Sequence, residues 1–322
     1  MQFNDIKNKF KNELIEVDEF IINNLKSDIE LINDIGKYIV LYGGKRIRPL
    51  ITILLSNMLS YKNKDYISMS AAIELIHTAT LLHDDVVDLA DKRRGKLSIN
   101  KIWGNKEAIL VGDFLYTRSF QIMVSTNNIE ILKLMAKTTN IMSEGEINQL
   151  INKNNLDAKE EDYFKTIKAK TAQLFSASAE IIPILANLDE KIIKNMSDFG
   201  MHFGIAYQLI DDVLDYVADE ETIGKKVGED ISNGIFTLPL IHLMSKDQNK
   251  KENIKNLIKN NEIKENFLEI KKDIIKSKSS DYTFELAKKH SEMAKKAILD
   301  VENNEFSKMA IELIDFIVKR KY

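Results

Sequence analysis

Two short runs of the sequence each place three aspartates within five residues. They are Asp84-Asp85-Val86-Val87-Asp88 and Asp211-Asp212-Val213-Leu214-Asp215. On a helix, the first and last aspartates of such a run lie four residues apart on one face, where their like charges repel each other. Each run also follows an apolar stretch, 79–83 or 203–210, which indicates a substantially buried helix.

A carboxylate cluster at the end of a buried helix requires a compensating cation. Hard oxygen ligands suit Mg²⁺, which proteins commonly hold through one or two carboxylates together with substrate phosphates. A single acidic pentad is also typical of a solvated helix face, but two pentads that each end an apolar helix are far rarer. Gln208 lies three residues before Asp211 and shares its face. The pair of pentads therefore predicts two helices that bind Mg²⁺.

Two basic clusters accompany the pentads. Gly43-Gly44-Lys45-Arg46-Ile47-Arg48-Pro49 lies between two helical stretches, and Lys92-Arg93-Arg94-Gly95 follows the first pentad. Arginine presents a planar fork to phosphate oxygens, and lysine presents a compact point charge. Either cluster alone is typical of a solvated loop. Together with the pentads, they predict a pocket for a polyanion such as a diphosphate.

Long helices must position these residues, and the sequence predicts them. It contains only three prolines, which break helix interiors, and its apolar residues recur at spacings of three and four. Helices are predicted over 67–90, 106–124, 128–151, 160–186 and 190–217. We expect an all-α fold, a bundle with buried central helices, in one domain over 1–322 with a peripheral, more charged part at about 246–280.

Composition excludes several classes of protein. The chain has 46 Lys+Arg and 49 Asp+Glu among 322 residues, so its formal net charge is −3, and a nucleic-acid binder usually shows net basicity. Its 44% hydrophobic content argues against disorder, and the absence of cysteine rules out disulfides and thiolate metal sites. The N-terminus lacks the apolar core of a signal peptide. We therefore expect a soluble, cytoplasmic protein.

The sequence resembles the trans-polyprenyl diphosphate synthases from about residue 36 to residue 243. The motifs that carry the resemblance are GGKRIRP (43–49), ELIHTATLLHDDVVDLADKRRG (74–95), GDFLYTRSF (112–120), KTAQLF (170–175), YQLIDDVLDY (207–216) and GKKVGED (224–230). The residue sequences of these motifs are most similar to those of bacterial octaprenyl diphosphate synthases. The resemblance implies an isoprenoid synthase fold, in which central buried helices surround a deep apolar tunnel.

The resemblance also implies a role for each matching residue. Asp84, Asp88 and Asp211 match the ligands of three Mg²⁺ ions, and Asp85, Asp212 and Asp215 match the water shell behind them. Matches to the isopentenyl diphosphate site are Lys45, Arg48, His77 and Arg94. Matches to the allylic diphosphate site are Arg93, Lys170, Thr171, Gln208 and Lys225. The family often has a lysine where Ile235 stands; isoleucine cannot bind phosphate there, but Lys225 and Lys226 remain nearby in the sequence.

The activity that the resemblance implies is repeated condensation of isopentenyl diphosphate onto an allylic diphosphate such as farnesyl diphosphate. An octaprenyl product for quinone side chains and a homodimer are expected with it. Ile76, Ala79 and Thr80 form a stripe beside the carboxylate face, and in the family bulky aromatics at the last two positions stop the product short. The small residues here predict a long product, although they also suit a close helix contact. Such an apolar product predicts transient membrane contact during release.

Other functions remain open at this point. A shorter- or different-chain synthase, from geranylgeranyl to solanesyl, would share the same motifs. A class I terpene cyclase shares one aspartate-rich motif, and a non-catalytic subunit shares the fold. A di-iron bundle would use pairs of E-x-x-H motifs, of which Glu74-Leu75-Ile76-His77 is a single example.

Overall fold

Helices make up nearly all of the regular structure in residues 3–41, 44–93, 95–217 and 228–319, the residues that the computed structural model describes. The helices of its first part are α1 (Phe3–Lys9), α2 (Lys11–Asn24), α3 (Glu30–Leu41), α4 (Ile47–Met58), α5 (Asp65–Val87), α6 (Ile99–Ile102), α7 (Asn105–Val124) and α8 (Ile129–Ile151). Those that follow are α9 (Glu160–Ile167), α10 (Gln173–Leu185), α11 (Glu190–Val217), α12 (Glu229–Ser232), α13 (Leu238–Lys246), α14 (Gln248–Lys259), α15 (Phe267–Lys276), α16 (Ser279–Leu299) and α17 (Glu305–Val318). The all-α prediction is confirmed.

The structure has two local features that the predicted helices do not include. The predicted helix over 160–186 contains a widened π turn, Lys168–Ala172, between α9 and α10. The basic cluster after α5 forms a small antiparallel hairpin of β1 (Lys92–Arg93) and β2 (Lys96–Leu97). Both features fall in segments that the sequence assigns to diphosphate binding.

The chain folds into two compact units. The first comprises Met1–Thr138, Leu174–Gly200 and Lys295–Leu313, and the second comprises Thr139–Gln173, Met201–Ala294 and Ile314–Tyr322. The expectation of one domain over 1–322 stays a prediction.

The first unit is built around α4 and α5. Leu50, Ile51, Ile53, Leu54 and Leu55 of α4 are all fully buried, so this helix is covered on every side. Helix α5 packs against α2, α4 and α7. These contacts hold the end of α5, where the first pentad lies, in a fixed position.

The second unit has its core along the C-terminal half of α11. Phe203, Leu209 and Tyr216 are buried there, and the Tyr216 ring stacks on Phe267 of α15 at a centroid distance of 6.0 Å. The charged segment that the sequence places at the periphery thus buries an apolar stripe of its own. None of the helices in the described ranges combines the length and hydropathy that a bilayer crossing needs.

Gly200 offers a test of the packing in the first unit. A Cβ on this helical residue would lie 2.4 Å from the Phe175 carbonyl oxygen and 2.6 Å from the Ser176 Cα, both backbone atoms that cannot rotate away. Replacing glycine by alanine inside a helix normally stabilises it by about 1 kcal/mol. We expect Gly200→Ala instead to lower the free energy of unfolding by about 1–3 kcal/mol, measured by urea denaturation.

Gly36→Ala in α3 is the matched control for this substitution. Its nearest neighbour would be the end of the flexible Leu25 side chain, 3.2 Å away, which can move. Equal effects of the two substitutions would show that the backbone approach at Gly200 is not what requires a glycine.

Candidate active site

The first pentad closes α5 with one buried and two partly exposed aspartates. Asp85 is only 3% exposed, whereas Asp84 and Asp88 are accessible. Asp84 stands in the last turn of α5 and Asp88 caps it, at the negative end of the helix dipole. A cation is favoured at such a helix end.

The buried Asp85 carboxylate is satisfied by a predicted diphosphate-binding residue. Arg93 places its Nε 2.7 Å and its Nη2 2.6 Å from Asp85 Oδ1. The Asp85 carbonyl oxygen also accepts hydrogen bonds from Ala90 N at 2.9 Å and from Asn100 Nδ2 at 3.1 Å. These contacts tie the β1–β2 hairpin to the end of α5. Arg94, the residue after Arg93, lies outside the described residues.

Arg46 anchors the segment that carries Lys45 and Arg48 through two ion pairs. Its backbone is left-handed, at φ 52°, and its guanidinium is buried between Glu74 Oε1 at 2.6 Å and Asp18 Oδ1 at 2.9 Å. Burial disfavours the charged guanidinium, but the two carboxylates outweigh that effect, so the pKa of Arg46 is raised. Arg46 was not predicted as a site residue, because from sequence it is one of three neighbouring basic residues.

The neighbours of Arg46 take different positions. Lys45 is exposed, and Arg48 is half-buried with its guanidinium 4.1 Å from the centre of the Phe175 ring. Arginine stacks readily on an aromatic face, which fixes the plane of its fork.

Because Glu74 is paired with Arg46, the E-x-x-H motif uses its glutamate in a structural ion pair, which argues against a di-iron site.

A partly open cavity lies in the first unit along one face of α5. Its polar wall includes His77, the Arg46–Glu74 pair and the Asp85–Arg93 pair. Its apolar wall includes Tyr38, Ile39, Leu81, Leu82, Leu97 and Ile99. A space with ion-paired cations on one side and apolar side chains on the other suits a ligand with a charged head and a short hydrocarbon part.

The predicted tunnel positions differ in exposure. Ile76 and Ala79 are almost fully buried, whereas Thr80 is partly exposed. The Thr80 hydroxyl donates a hydrogen bond to the His77 carbonyl oxygen at 2.8 Å, within the same helix. Thr80 therefore turns its methyl group, rather than an unsatisfied hydroxyl, to its surroundings.

The second pentad repeats the arrangement of the first. Asp212 is 2% exposed, while Asp211 and Asp215 are partly exposed. The Asp212 carboxylate accepts hydrogen bonds from Tyr163 Oη at 2.5 Å and from Gln208 Nε2 at 2.8 Å. Burial raises the pKa of Asp212 well above its ordinary value, and these two hydrogen bonds counteract the shift.

Tyr163 is a site residue that the sequence analysis missed. It lies on α9, seven residues and two helical turns before Lys170, and its phenol is fully buried. Burial raises the pKa of Tyr163 well above its ordinary value, so the phenol remains a donor. In the sequence, the spacing of Tyr163 from Lys170 was the one feature that could have identified it as a site residue. A buried tyrosine is, however, usually a packing residue.

The π turn presents two predicted ligands of the allylic diphosphate. Thr171 Oγ1 donates to Gln208 Oε1 at 2.9 Å, which continues the network from Asp212. Lys170 Nζ lies 2.6 Å from Glu146 Oε2 and 2.8 Å from Gln149 Oε1. Isolated π turns occur frequently at functional sites. Lys225, the remaining predicted ligand, lies outside the described residues.

The donor set of the pentads fits Mg²⁺ that is shared with a substrate. Each pentad offers two partly exposed aspartates on one helix face, and their carboxylates are hard oxygen donors. Within the described residues, no three acidic or histidine side chains converge closely enough to hold an ion by themselves. That pattern matches Mg²⁺, which binds through one or two carboxylates together with phosphate oxygens.

The Arg46–Glu74 pair gives a test of the first unit. Because breaking a buried ion pair leaves an uncompensated charge, we expect Glu74→Gln to lower the free energy of unfolding by about 3 kcal/mol in urea denaturation. Glu16→Gln is the control, since Glu16 pairs with Lys64 at a similarly short distance, 2.7 Å, on the surface. No measurable change is expected there. Similar losses in both variants would contradict the anchoring role of Arg46.

Comparison with known proteins shows the family of the chain. The model of the polyprenyl synthetase family matches residues 29–276. Octaprenyl diphosphate synthase of Escherichia coli K12 is 48% identical over 232 residues, 72% of each chain. The Haemophilus influenzae octaprenyl diphosphate synthase is 38% identical over 323 residues, 100% of this chain and 98% of that one.

A solved structure has the same fold over its whole length. The polyprenyl synthase from Caulobacter crescentus CB15, complexed with calcium and isoprenyl diphosphate, superposes with a TM-score of 0.94 at 35% identity. The match covers 100% of this chain and 98% of that chain. This chain therefore belongs to the polyprenyl synthetase family of prenyltransferases.

Proposed function

We propose that this long-chain trans-prenyltransferase condenses isopentenyl diphosphate repeatedly onto farnesyl diphosphate to make octaprenyl diphosphate for quinone side chains. The relatives from E. coli and H. influenzae, both octaprenyl diphosphate synthases, support the product length. In each cycle the allylic C1–O bond breaks, diphosphate leaves with the electron pair, and C1 bonds to the isopentenyl double bond. The isopentenyl unit then loses one proton.

One observation carries the proposal. Each pentad buries its second aspartate and keeps the first and fifth partly exposed on one helix face. We assign Asp84, Asp88 and Asp211 to three Mg²⁺ ions in the substrate complex. When bound, Mg²⁺ neutralises the charge that develops on the leaving diphosphate. The Caulobacter crescentus structure, complexed with calcium and isoprenyl diphosphate, supports the use of divalent cations.

In this proposal the remaining pentad residues, Asp85, Asp212 and Asp215, hold nearby side chains and water rather than the ions directly. Asp85 binds Arg93, and Asp212 binds Gln208, so each connects a pentad to a side chain assigned to the allylic diphosphate. With Asp215, they would complete the water shell behind the ions. Lys170, Thr171 and Lys225 are assigned to the same diphosphate.

The isopentenyl diphosphate is assigned to Lys45, Arg48, His77 and Arg94. Stacking on Phe175 orients the Arg48 fork, and the buried Arg46 fixes the backbone between Lys45 and Arg48. His77 lines the α5 cavity, and the apolar side chains of that cavity suit the short hydrocarbon part of this substrate. This arrangement distinguishes a synthase from a class I cyclase, which has no second substrate to hold.

Assembly and location complete the proposal. We propose a cytoplasmic homodimer, and exposed apolar side chains at Leu110 of α7 and Ile129 of α8 supply surface that association would cover. Release of the apolar product would involve transient contact with a membrane or an acceptor enzyme.

The product assay tests the proposed function. The purified chain, given farnesyl diphosphate, isopentenyl diphosphate and Mg²⁺, is expected to form all-trans octaprenyl diphosphate, sized by chromatography after dephosphorylation. Products that end at geranylgeranyl length would contradict the long-chain assignment. A cyclic hydrocarbon would indicate a cyclase, and activity only with an added partner would indicate a subunit.

Thr80→Tyr tests the tunnel assignment. Thr80 is the partly exposed position of the stripe, so a tyrosine can extend there without displacing the core. We expect the product distribution to shift to shorter chains, with the rate of the first condensation largely retained. Ser68→Tyr, near the start of α5, is the control and should leave product length unchanged. An unaltered distribution in Thr80→Tyr would count against this wall position.

Tyr163→Phe tests the network behind the second pentad. Loss of the phenol removes one donor from the buried Asp212 and loosens Gln208 and Thr171, so we expect kcat/KM for the allylic substrate to fall roughly tenfold. Tyr282→Phe is the control, because its hydroxyl binds Glu160 at 2.9 Å outside this network. Equal effects of the two substitutions would show that the Asp212 contact has no special role.

A further inference from the structure

The contact that holds Lys170 involves a glutamate to which sequence reasoning assigns no role. Glu144 and Glu146 lie two residues apart near the end of α8, and their spacing gives no reason to choose between them. The structure distinguishes them, because Glu146 binds Lys170 at 2.6 Å while Glu144 accepts a hydrogen bond from Asn140 on the surface.

The backbone is built to bring α8 against the π turn. A Cβ on Gly145 would lie 2.7 Å from the Ala169 Cβ and 3.0 Å from Lys170 N, so only glycine permits this approach. Asn148 Nδ2 adds a hydrogen bond to Thr166 Oγ1 at 3.0 Å on α9. Gln149 supplies the second acceptor for Lys170 Nζ. Lys170 is thus held by neighbours on one rigid helix.

The ion pair is positioned where an anion can compete for it. The Lys170 and Glu146 side chains are 24% and 33% exposed, so both are accessible from solution. A diphosphate carries several negative charges on oxygens that a lysine ammonium binds well, whereas Glu146 offers one charge. Lys170 can therefore exchange one anionic partner for the other without becoming unpaired.

We propose that Glu146 is a positioning residue that occupies Lys170 when no diphosphate is bound and competes with diphosphate for it. This inference rests on the proposed assignment of Lys170 to the allylic diphosphate. During repeated condensation, each cycle leaves a pyrophosphate that must depart before the lengthened allylic diphosphate can bind. Recapture of Lys170 by Glu146 weakens the hold on that pyrophosphate and so favours continued elongation.

Glu146→Gln tests the proposal, because it removes the competing charge and keeps the shape and the acceptor. We expect calorimetry with Mg²⁺ to show inorganic pyrophosphate binding about tenfold more tightly than in the unsubstituted protein. In the elongation assay, KM for farnesyl diphosphate should fall together with kcat, because release becomes slower. Gln149→Met, which removes the neutral acceptor, should give a smaller change in the same direction.

Two controls separate this role from a structural one. Glu144→Gln should leave pyrophosphate affinity and kcat unchanged, and adding Glu146→Gln to Lys170→Ala should have no further effect on affinity. Suppose that Lys170→Ala raises the KM for farnesyl diphosphate but Glu146→Gln leaves pyrophosphate binding unchanged or weaker. That result would overturn the role of Glu146 and leave the assignment of Lys170 standing. If Lys170→Ala leaves that KM unchanged, or the unsubstituted chain does not elongate, both the assignment of Lys170 and the role of Glu146 fail.

Discussion

The structure depends on the cost of gathering carboxylates at buried helix ends. In each pentad the second aspartate is buried and protein donors satisfy it: Arg93 for Asp85, and Tyr163 with Gln208 for Asp212. The first and fifth aspartates remain partly exposed on one helix face, and at α5 they also stand at the negative end of the helix dipole. Two accessible like charges at such a position favour a bound cation, which is the requirement that the proposed chemistry uses.

The cations of the site obey the same constraint. Arg46 is neutralised by Glu74 and Asp18, Arg93 by Asp85, and Lys170 by Glu146. These ion pairs differ in how deeply they are buried, and that difference determines what each pair can do. A pair that is almost fully buried, such as Arg46 with Glu74, acts as a fixed anchor, because separating it would strand a charge in the core. A partly exposed pair, such as Lys170 with Glu146, can exchange partners with a diphosphate from solution.

The sequence predicts the helices and the pentads because both depend on local spacing. The helices predicted around 106–124, 128–151 and 190–217 agree with α7, α8 and α11 to within a residue or two. One partner of a buried aspartate, Tyr163, was less accessible to prediction than the helices. Tyr163 lies 49 residues from Asp212, and no local pattern connects them. The left-handed Arg46 and the π turn at Lys168–Ala172 were also missed, because tertiary contacts stabilise both against ordinary backbone preference.

In the proposed function, helix α5 would connect the reacting end of the substrate to the length of the product. Its last turn carries Asp84, and Thr80 stands four residues earlier, about 6 Å along the axis. Ile76 lies one turn further, and each turn adds about 5.4 Å, comparable with one extended isoprene unit. Because α5 packs against α2, α4 and α7, a side chain on it would limit the tail of the proposed product at a set distance from the acidic end. In that proposal, the absence of a bulky residue at Ala79 and Thr80 moves the limit beyond the first turns of the helix, where other elements would set it.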